Sequence, residues 1–231
     1  MKILAIDTAT TAIGVGLAFD GRVVASFQLE GTKRHAETIV PAIEQALASS
    51  GCRYADLDAI AVDIGPGLFT GLRVGVATAK AIAMACNKPV LAVSSLEVVA
   101  HAYASARPAS DGEIVVVIDA RRREVYAQMF GFSAGGVVAR DDAFVAPPAQ
   151  VAMRAATPDA GQPLVVIGGG VAAYPDAFSH LATAATGPPP IAALLALAER
   201  VEPMDPDDVE LLYLRAPDAE INWVSRAPVT S

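Results

Sequence analysis

The sequence predicts an α/β protein built from two related units. Three observations carry that expectation. Short aliphatic runs alternate with helical stretches along 231 residues, the pattern of strands that need helices to cover them. Residues 59–75 read as a strand, a glycine-proline turn and a helix start in direct succession. Both halves open alike, with a strand, an Asp-containing turn and a second strand, at 2–19 and again at 113–132.

The first unit begins with a strand at 2–6, a turn at 7–11 and a strand at Ile13–Phe19. Asp20-Gly21 is a hairpin signal, and Arg22–Leu29 is its return strand. A helix over 36–49 sets Ile39, Val40, Ile43, Ala46 and Leu47 on one face. Strand 59–64 then leads into Gly65-Pro66-Gly67-Leu68-Phe69-Thr70-Gly71-Leu72-Arg73-Val74-Gly75. Gly65 and Gly67 permit a sharp turn with φ above zero, and Pro66 stiffens it. Thr70 stands where a hydroxyl can cap backbone amides. Gly71 and Gly75 let another backbone come close. The helix Phe69–Cys86 has Arg73 and Lys80 as its only charges. A helix apolar on nearly every side is buried on nearly every side, so its outer face calls for a cover beyond the chain's own sheet. Strand Val90–Val93 follows, and Ser94-Ser95-Leu96-Glu97 is a capping-box pattern opening a short helix.

An aperiodic stretch at 105–112 divides the chain into units 1–105 and 106–231. The second reads as a strand at 113–118, a turn at 119–123 and a strand at 124–132. Strand Leu164–Ile167, the turn Gly168-Gly169-Gly170 and a helix at 191–201 come later. Gly187-Pro188-Pro189-Pro190 is a stiff connector. The C-terminal tail, acidic and proline-bearing at 204–208, is expected to pack back on the first unit.

Composition narrows the function. Net charge is −8 and the pI about 4.8. Phosphate contacts dominate nucleic-acid affinity, so strong unaided RNA binding is not expected. With 53% hydrophobic residues and a mean hydropathy of +0.43, a buried partner surface is expected. Cys52 and Cys86 are the only cysteines, which fits a cytoplasmic protein without a disulfide framework. The apolar stretch before Asp7 is too short for a secretory signal. No uninterrupted apolar run approaches the roughly 20 residues of a membrane span.

Ile6-Asp7-Thr8, Arg34-His35, the glycine-proline stretch 65–75, Ala77-Thr78-Ala79-Lys80, Val93-Ser94-Ser95-Leu96-Glu97, Asp119-Ala120-Arg121-Arg122 and Tyr213-Leu214-Arg215 together resemble the TsaB (YeaZ) family of bacterial tRNA threonylcarbamoyladenosine biosynthesis. The resemblance implies an actin-like ATPase fold of the ribonuclease H-like class. It implies a non-catalytic subunit that pairs with the related catalytic subunit TsaD and works with the ATPase TsaE. A homodimer is implied for the chain alone, tRNA only within the complex, ATP or ADP at the joint between partners, and no membrane.

Two rivals stand beside that resemblance, an active phosphotransferase or ATPase and a metallopeptidase. The turn carrying Asp7, Thr8 and Thr10 offers amides and hydroxyls to a nucleotide phosphate, or is an ordinary hairpin turn capped by Asp7. TsaD-like sequences carry an Asp-Glu pair there, and this chain has Thr11-Ala12. Metallopeptidase-type relatives place a second histidine four residues after the one matching His35, on the same helix face. Here that position is Ile39, so no metal site is expected, and His35 hydrogen-bonds at a helix start or faces a partner. The second phosphate turn of actin-like kinases needs a glycine, and here Arg121, Arg122 and Arg123 fill it. They meet RNA or an acidic partner, or form a solvated hairpin tip. No catalytic residue is assigned. Helices 36–49 and Phe69–Cys86 are expected to form the partner surface, with Leu72 and Val76 as its apolar seam and Arg73 and Lys80 at its rim.

Overall fold

The computed structural model describes residues 1–31, 35–108, 110–134, 136–156 and 164–215. Its strands fall into two sheets. The first holds β1 (Lys2–Asp7), β2 (Ile13–Phe19), β3 (Arg22–Leu29), β4 (Ala59–Asp63) and β5 (Val90–Val93), in the order β3-β2-β1-β4-β5. The second holds β6 (Gly112–Asp119), β7 (Val125–Ser133), β8 (Gly136–Ala139), β10 (Leu164–Ile167) and β11 (Thr183–Ala184), in the order β11-β10-β6-β7-β8, and β9 (Phe144–Ala146) pairs with β7. In each sheet the opening strand pairs antiparallel with its hairpin partner and parallel with a later strand: β1 with β2 and β4, β6 with β7 and β10. The echo between the two halves is therefore a shared topology.

Seven helices cover these sheets among the described residues: α1 (His35–Ser50), α2 (Phe69–Cys86), α3 (Ser95–Ser105), α4 (Pro148–Ala155), α5 (Gly169–Ala173), α6 (Pro175–Phe178) and α7 (Ile191–Ala198). Alternate residues of β1 and β4 serve opposite covers, as strands buried on both faces must. Leu4, Ile6, Ile60 and Val62 join Ile39, Ile43, Val76 and Ala79 of α1 and α2. Ile3, Ala5, Ala59 and Ala61 join Leu194 and Leu195 of α7 and Val98 of α3. Leu96, Val99 and Ala100 of α3 turn instead to Ile114, Val116 and Phe130 of the second sheet. One helix thus lies between the two sheets and packs on both.

The last segment reorganises the linear division. Helix α7 seals the first sheet, and a Cβ placed on Gly16 would come within 3.0 Å of side chains of Ile191 and Leu195. A larger residue here would require the side chains of α7 to shift. Met204 then pairs with Val90, Val209 is buried in the α1/α2 core, and the Leu212 N–H donates to the Ile64 carbonyl at 2.9 Å.

Local expectations need four corrections. Val40 is 46% exposed, because the buried stripe of α1 runs through His35, Ile39, Ala42, Ile43, Ala46 and Leu47 and leaves it at the rim. Thr70 does not cap α2, whose N-cap is Leu68 without a side-chain bond. Gly65 takes a positive φ of 101° while Gly67 does not. Helix α7 stops at Ala198, short of Val201. Short elements such as α4 and β9 carry too few periodic residues to be read in advance. Among the described residues one helix, α2, is long and apolar enough by composition to cross a membrane. Here Leu72, Val76, Ala79 and Ala83 bury one side of it on the sheet.

Candidate functional site

Two acidic strand ends lie side by side. β1 ends at Asp7 and β4 at Asp63, and the two strands run parallel with Ile6 opposite Val62. Asp7 Oδ1 accepts from the Ala9 N–H at 2.9 Å. Asp63 Oδ1 accepts from the Gly65 N–H at 2.7 Å and from the Ser95 hydroxyl at 2.5 Å. Both carboxyls are buried. Burial pushes Asp7 up to about 6, opposed by the Ala9 hydrogen bond and by His35. Burial, and then the charge of Asp7, hold Asp63 well above the usual carboxylate range. A charged pair here would be desolvated and self-repelling.

The turn after Asp7 is filled by the chain itself. Gly67, Gly71 and Gly75 form a ridge against it. A Cβ on Gly67 would strike the Ala9 carbonyl oxygen, one on Gly71 the Thr8 carbonyl oxygen, and one on Gly75 the Thr8 hydroxyl. Thr8 Oγ1 donates to the Gly71 carbonyl at 2.8 Å, and the Leu68 N–H donates to the Ala9 carbonyl at 2.7 Å. Thr10 Oγ1 accepts from the Ala12 N–H at 3.0 Å, and its carbonyl lies 3.0 Å from His35 Nε2. Of the two readings of this turn, the hairpin turn capped by Asp7 is the one these bonds fit, with Asp7 Oδ1, Thr8 Oγ1 and Thr10 Oγ1 all bonded within the chain and α2 packed beside it. For His35 the partner-facing reading gives way to the hydrogen-bonding one. It is buried and faces Thr10 instead of a partner. Among the described residues no group of three or more His, Cys, Asp or Glu is placed to hold a metal.

The seam on α2 is also corrected. Leu72 is 3% exposed and Val76 6%, with Val76 inside the core shared with α1. Phase decides this, because the glycine ridge turns inward and carries its neighbours with it. What α2 presents outward is Phe69, Thr70, Arg73, Ala77, Ala81, Met84 and Ala85. Phe69 and Met84 are about half exposed, at 48% and 55%. On α1, Val40, Pro41 and Glu44 are exposed. Arg73 lies 4.0 Å over the Phe69 ring, whose other neighbour is Tyr213 at 5.7 Å. Lys80 donates to the Val209 carbonyl at 3.1 Å. A groove of about 470 Å³ separates the C-terminal segment from Arg73, Ala77 and Lys80.

The second turn differs from the first. Arg121, Arg122 and Arg123 take φ of 61°, 54° and 63° and lie at the surface. Asp119 accepts from the Arg121 N–H at 2.8 Å and from the Tyr174 hydroxyl at 3.1 Å. Gly168 and Gly170 pack on the Val117 backbone, while Gly169 has open space beside it, so two glycines of that run are explained by contact between α5 and β6. Asp63 is a site residue that sequence reasoning misses. Its signal is present in the chain, an aspartate at a strand end as at Asp7. Ser95 and Tyr213 belong to the family-like stretches, but only the fold brings one to Asp63 and the other to Phe69. Arg34 lies outside the described residues.

Comparison with known proteins follows the same outline. A family model described as TsaD, tRNA N6-adenosine threonylcarbamoyltransferase, matches residues 26–223. The chain is 40% identical over 126 residues to the tRNA threonylcarbamoyladenosine biosynthesis protein TsaB of Escherichia coli, 54% of this chain and 53% of that protein. The match thus spans about half of that relative. An uncharacterized protein of Mycobacterium tuberculosis is 36% identical over 220 residues, 94% of this chain and 93% of that one. The solved structure of YeaZ from Pseudomonas aeruginosa superposes with a TM-score of 0.80 at 31% identity, covering 92% of this chain and 99% of that one. The two related α/β units are those of the actin-like ATPase fold.

Proposed function

The chain belongs to the TsaB (YeaZ) family, and from that premise we propose that it is a non-catalytic subunit of the cytoplasmic machinery that forms threonylcarbamoyladenosine in tRNA. In this reading it docks on a catalytic subunit of the TsaD type and holds it in its working state. A TsaE-type ATPase acts on the assembly, tRNA binds only to the whole, and a homodimer forms when the catalytic subunit is absent. ATP or ADP belongs to the joint between subunits.

The observation that carries the proposal is the clamped first turn. An enzyme of this fold needs that turn open, so that amides and a carboxylate reach phosphate and metal. Here Thr8 and Ala9 are pressed into the Gly67, Gly71 and Gly75 ridge, and the first turn carries Thr11 and Ala12 in place of acids. The half-exposed Phe69 and Met84 at either end of the outer side of α2 supply apolar surface of the kind that a partner covers.

Co-purification tests the proposal. The tagged chain should bring down a TsaD-type protein, and that pair with a TsaE-type ATPase should modify tRNA where the catalytic subunit alone does not. The isolated chain should neither hydrolyse ATP nor cleave peptides. A steady ATP turnover by the isolated chain that disappears with Asp7→Ala would replace this reading with the phosphotransferase one.

A further inference from the structure

We infer that the turn of Arg121, Arg122 and Arg123 is a contact for the RNA phosphate backbone. The inference rests on the proposed function for the identity of the RNA, and on the geometry of the turn for the contact. Three features of the turn carry it.

The first is conformation. Left-handed backbone is disfavoured for residues with a Cβ, and such residues adopt it singly when at all. Here three arginines in succession hold φ between 54° and 63°. Such strain persists where surrounding bonds enforce it and is a mark of functional positions. A glycine at any of the three would remove it at no steric cost. Arginine instead places three guanidinium groups on one hairpin tip.

The second is rigidity. The Ala120 N–H donates to the Glu124 carbonyl, and the Glu124 N–H donates to the Arg121 carbonyl, both at 3.0 Å. Arg215 donates to the Ala120 carbonyl at 3.1 Å and pairs with Glu124. Arg121 pairs with Asp119 at 3.1 Å, and Tyr174 holds the same carboxylate. The tip is thus presented on a fixed frame, which lowers the ordering cost of binding.

The third is charge and place. The chain carries a net charge of −8, yet this turn sets the surface residues Arg121, Arg122 and Arg123 in succession, with Arg121 paired to Asp119 and Arg215 to Glu124. Guanidinium groups suit phosphate because their donors match two oxygens at once. Arg215 lies two residues beyond Tyr213, whose ring meets Phe69 at a tilt at the outer face of α2. The turn is therefore joined through the C-terminal segment to the proposed partner surface. RNA held by the assembly would meet it at the edge of the joint. Such a contact positions RNA without reading sequence.

The test titrates a fluorescein-labelled unmodified tRNA transcript and an unrelated RNA hairpin by anisotropy against the reconstituted assembly at 50–200 mM salt. Arg122→Ala with Arg123→Ala should weaken both RNAs about tenfold and reduce the salt slope by about 2, near 0.9 for each phosphate left unneutralised. Arg123→Gly alone keeps the fold under test. It should raise the melting temperature by about 2–4 °C through relief of strain and still weaken RNA binding. Wild-type affinity and slope in the double variant would overturn the inference and leave the subunit reading standing. So would failure of partner assembly with RNA binding intact, which would assign the turn to an acidic protein surface. Absence of RNA binding by the wild-type assembly would overturn both.

Discussion

At the scale of single residues, the decisive atoms are those glycine lacks. Gly71 is set where a Cβ would meet the Thr8 carbonyl oxygen, a backbone atom that cannot swing aside. Gly71→Ala should destabilise the fold by about 1–3 kcal/mol or more, the cost of overpacking a close contact, read as a lower midpoint in urea. Gly169 begins α5 with nothing within 4 Å of its missing Cβ, so Gly169→Ala should be neutral or slightly stabilising. The buried acids make a second prediction. Asp7 titrates at about 6 in the fold, against 3.8 for the free group, so the folded chain binds the proton more tightly. Its contribution is fully present below pH 4 and is lost as pH rises through about 6. Asp7→Asn should leave stability near pH 4 little changed and raise it at pH 8 by about 1–3 kcal/mol. Thermal melts across that range check it, and an unchanged difference between the two pH values would contradict it.

At the scale of elements, α2 joins the core to the proposed partner surface. Its inner side, with Gly71, Leu72, Gly75, Val76, Ala79 and Ala83, clamps the first turn and closes the core. Its outer side carries Phe69, Arg73, Ala77 and Met84. A rotation of about 100° about the helix axis separates buried Val76 from exposed Ala77, and substitutions at these adjacent residues distinguish core from proposed interface. Val76→Arg should abolish the cooperative melt, because an unpaired buried charge costs several kcal/mol of a stability that is itself about 5–15 kcal/mol. Ala77→Arg should leave the melt intact and abolish pairing with the catalytic subunit, measured by co-elution. Normal pairing by the Ala77 variant would move the partner surface away from α2.

At the scale of the whole molecule, the division by sequence and the division by packing part company. Residues 1–105 contain all five strands of the first sheet. Yet one of its faces is covered by α7, and the α1/α2 core includes Val209. Residues 1–105 expressed alone should therefore show no cooperative melt, and mixing with 106–231 should restore one. A stable, cooperatively melting 1–105 fragment would show that α7 is dispensable to the first unit. Contact between distant parts also links the surfaces. The strand-like tail that bonds Ile64 through Leu212 carries Tyr213 to α2 and Arg215 to the arginine turn.

The α/β class, the paired hairpin openings and the strand–turn–helix at 59–86 were all determined by the sequence. Each depends on a short-range cause: alternating aliphatic runs, Asp20-Gly21, or Gly65-Pro66 between a strand and a helix. The resemblance to the family was legible there too, because its residues stand in continuous stretches. The facing of side chains was decided by the tertiary structure alone. A helix as apolar as α2 has no clear polar face to fix its phase, so Leu72 and Val76 could be assigned outward on composition and yet lie in the core. Gly71 and Gly75 announced a close approach without naming what approaches. That it is Thr8, some 63 residues earlier along the chain, follows from β1 and β4 lying side by side. The same juxtaposition brings Asp7 to Asp63. Long-range pairing of this kind is set by the sum of core contacts and not by any local pattern, which is why the clamp over the first turn is visible only in the folded chain.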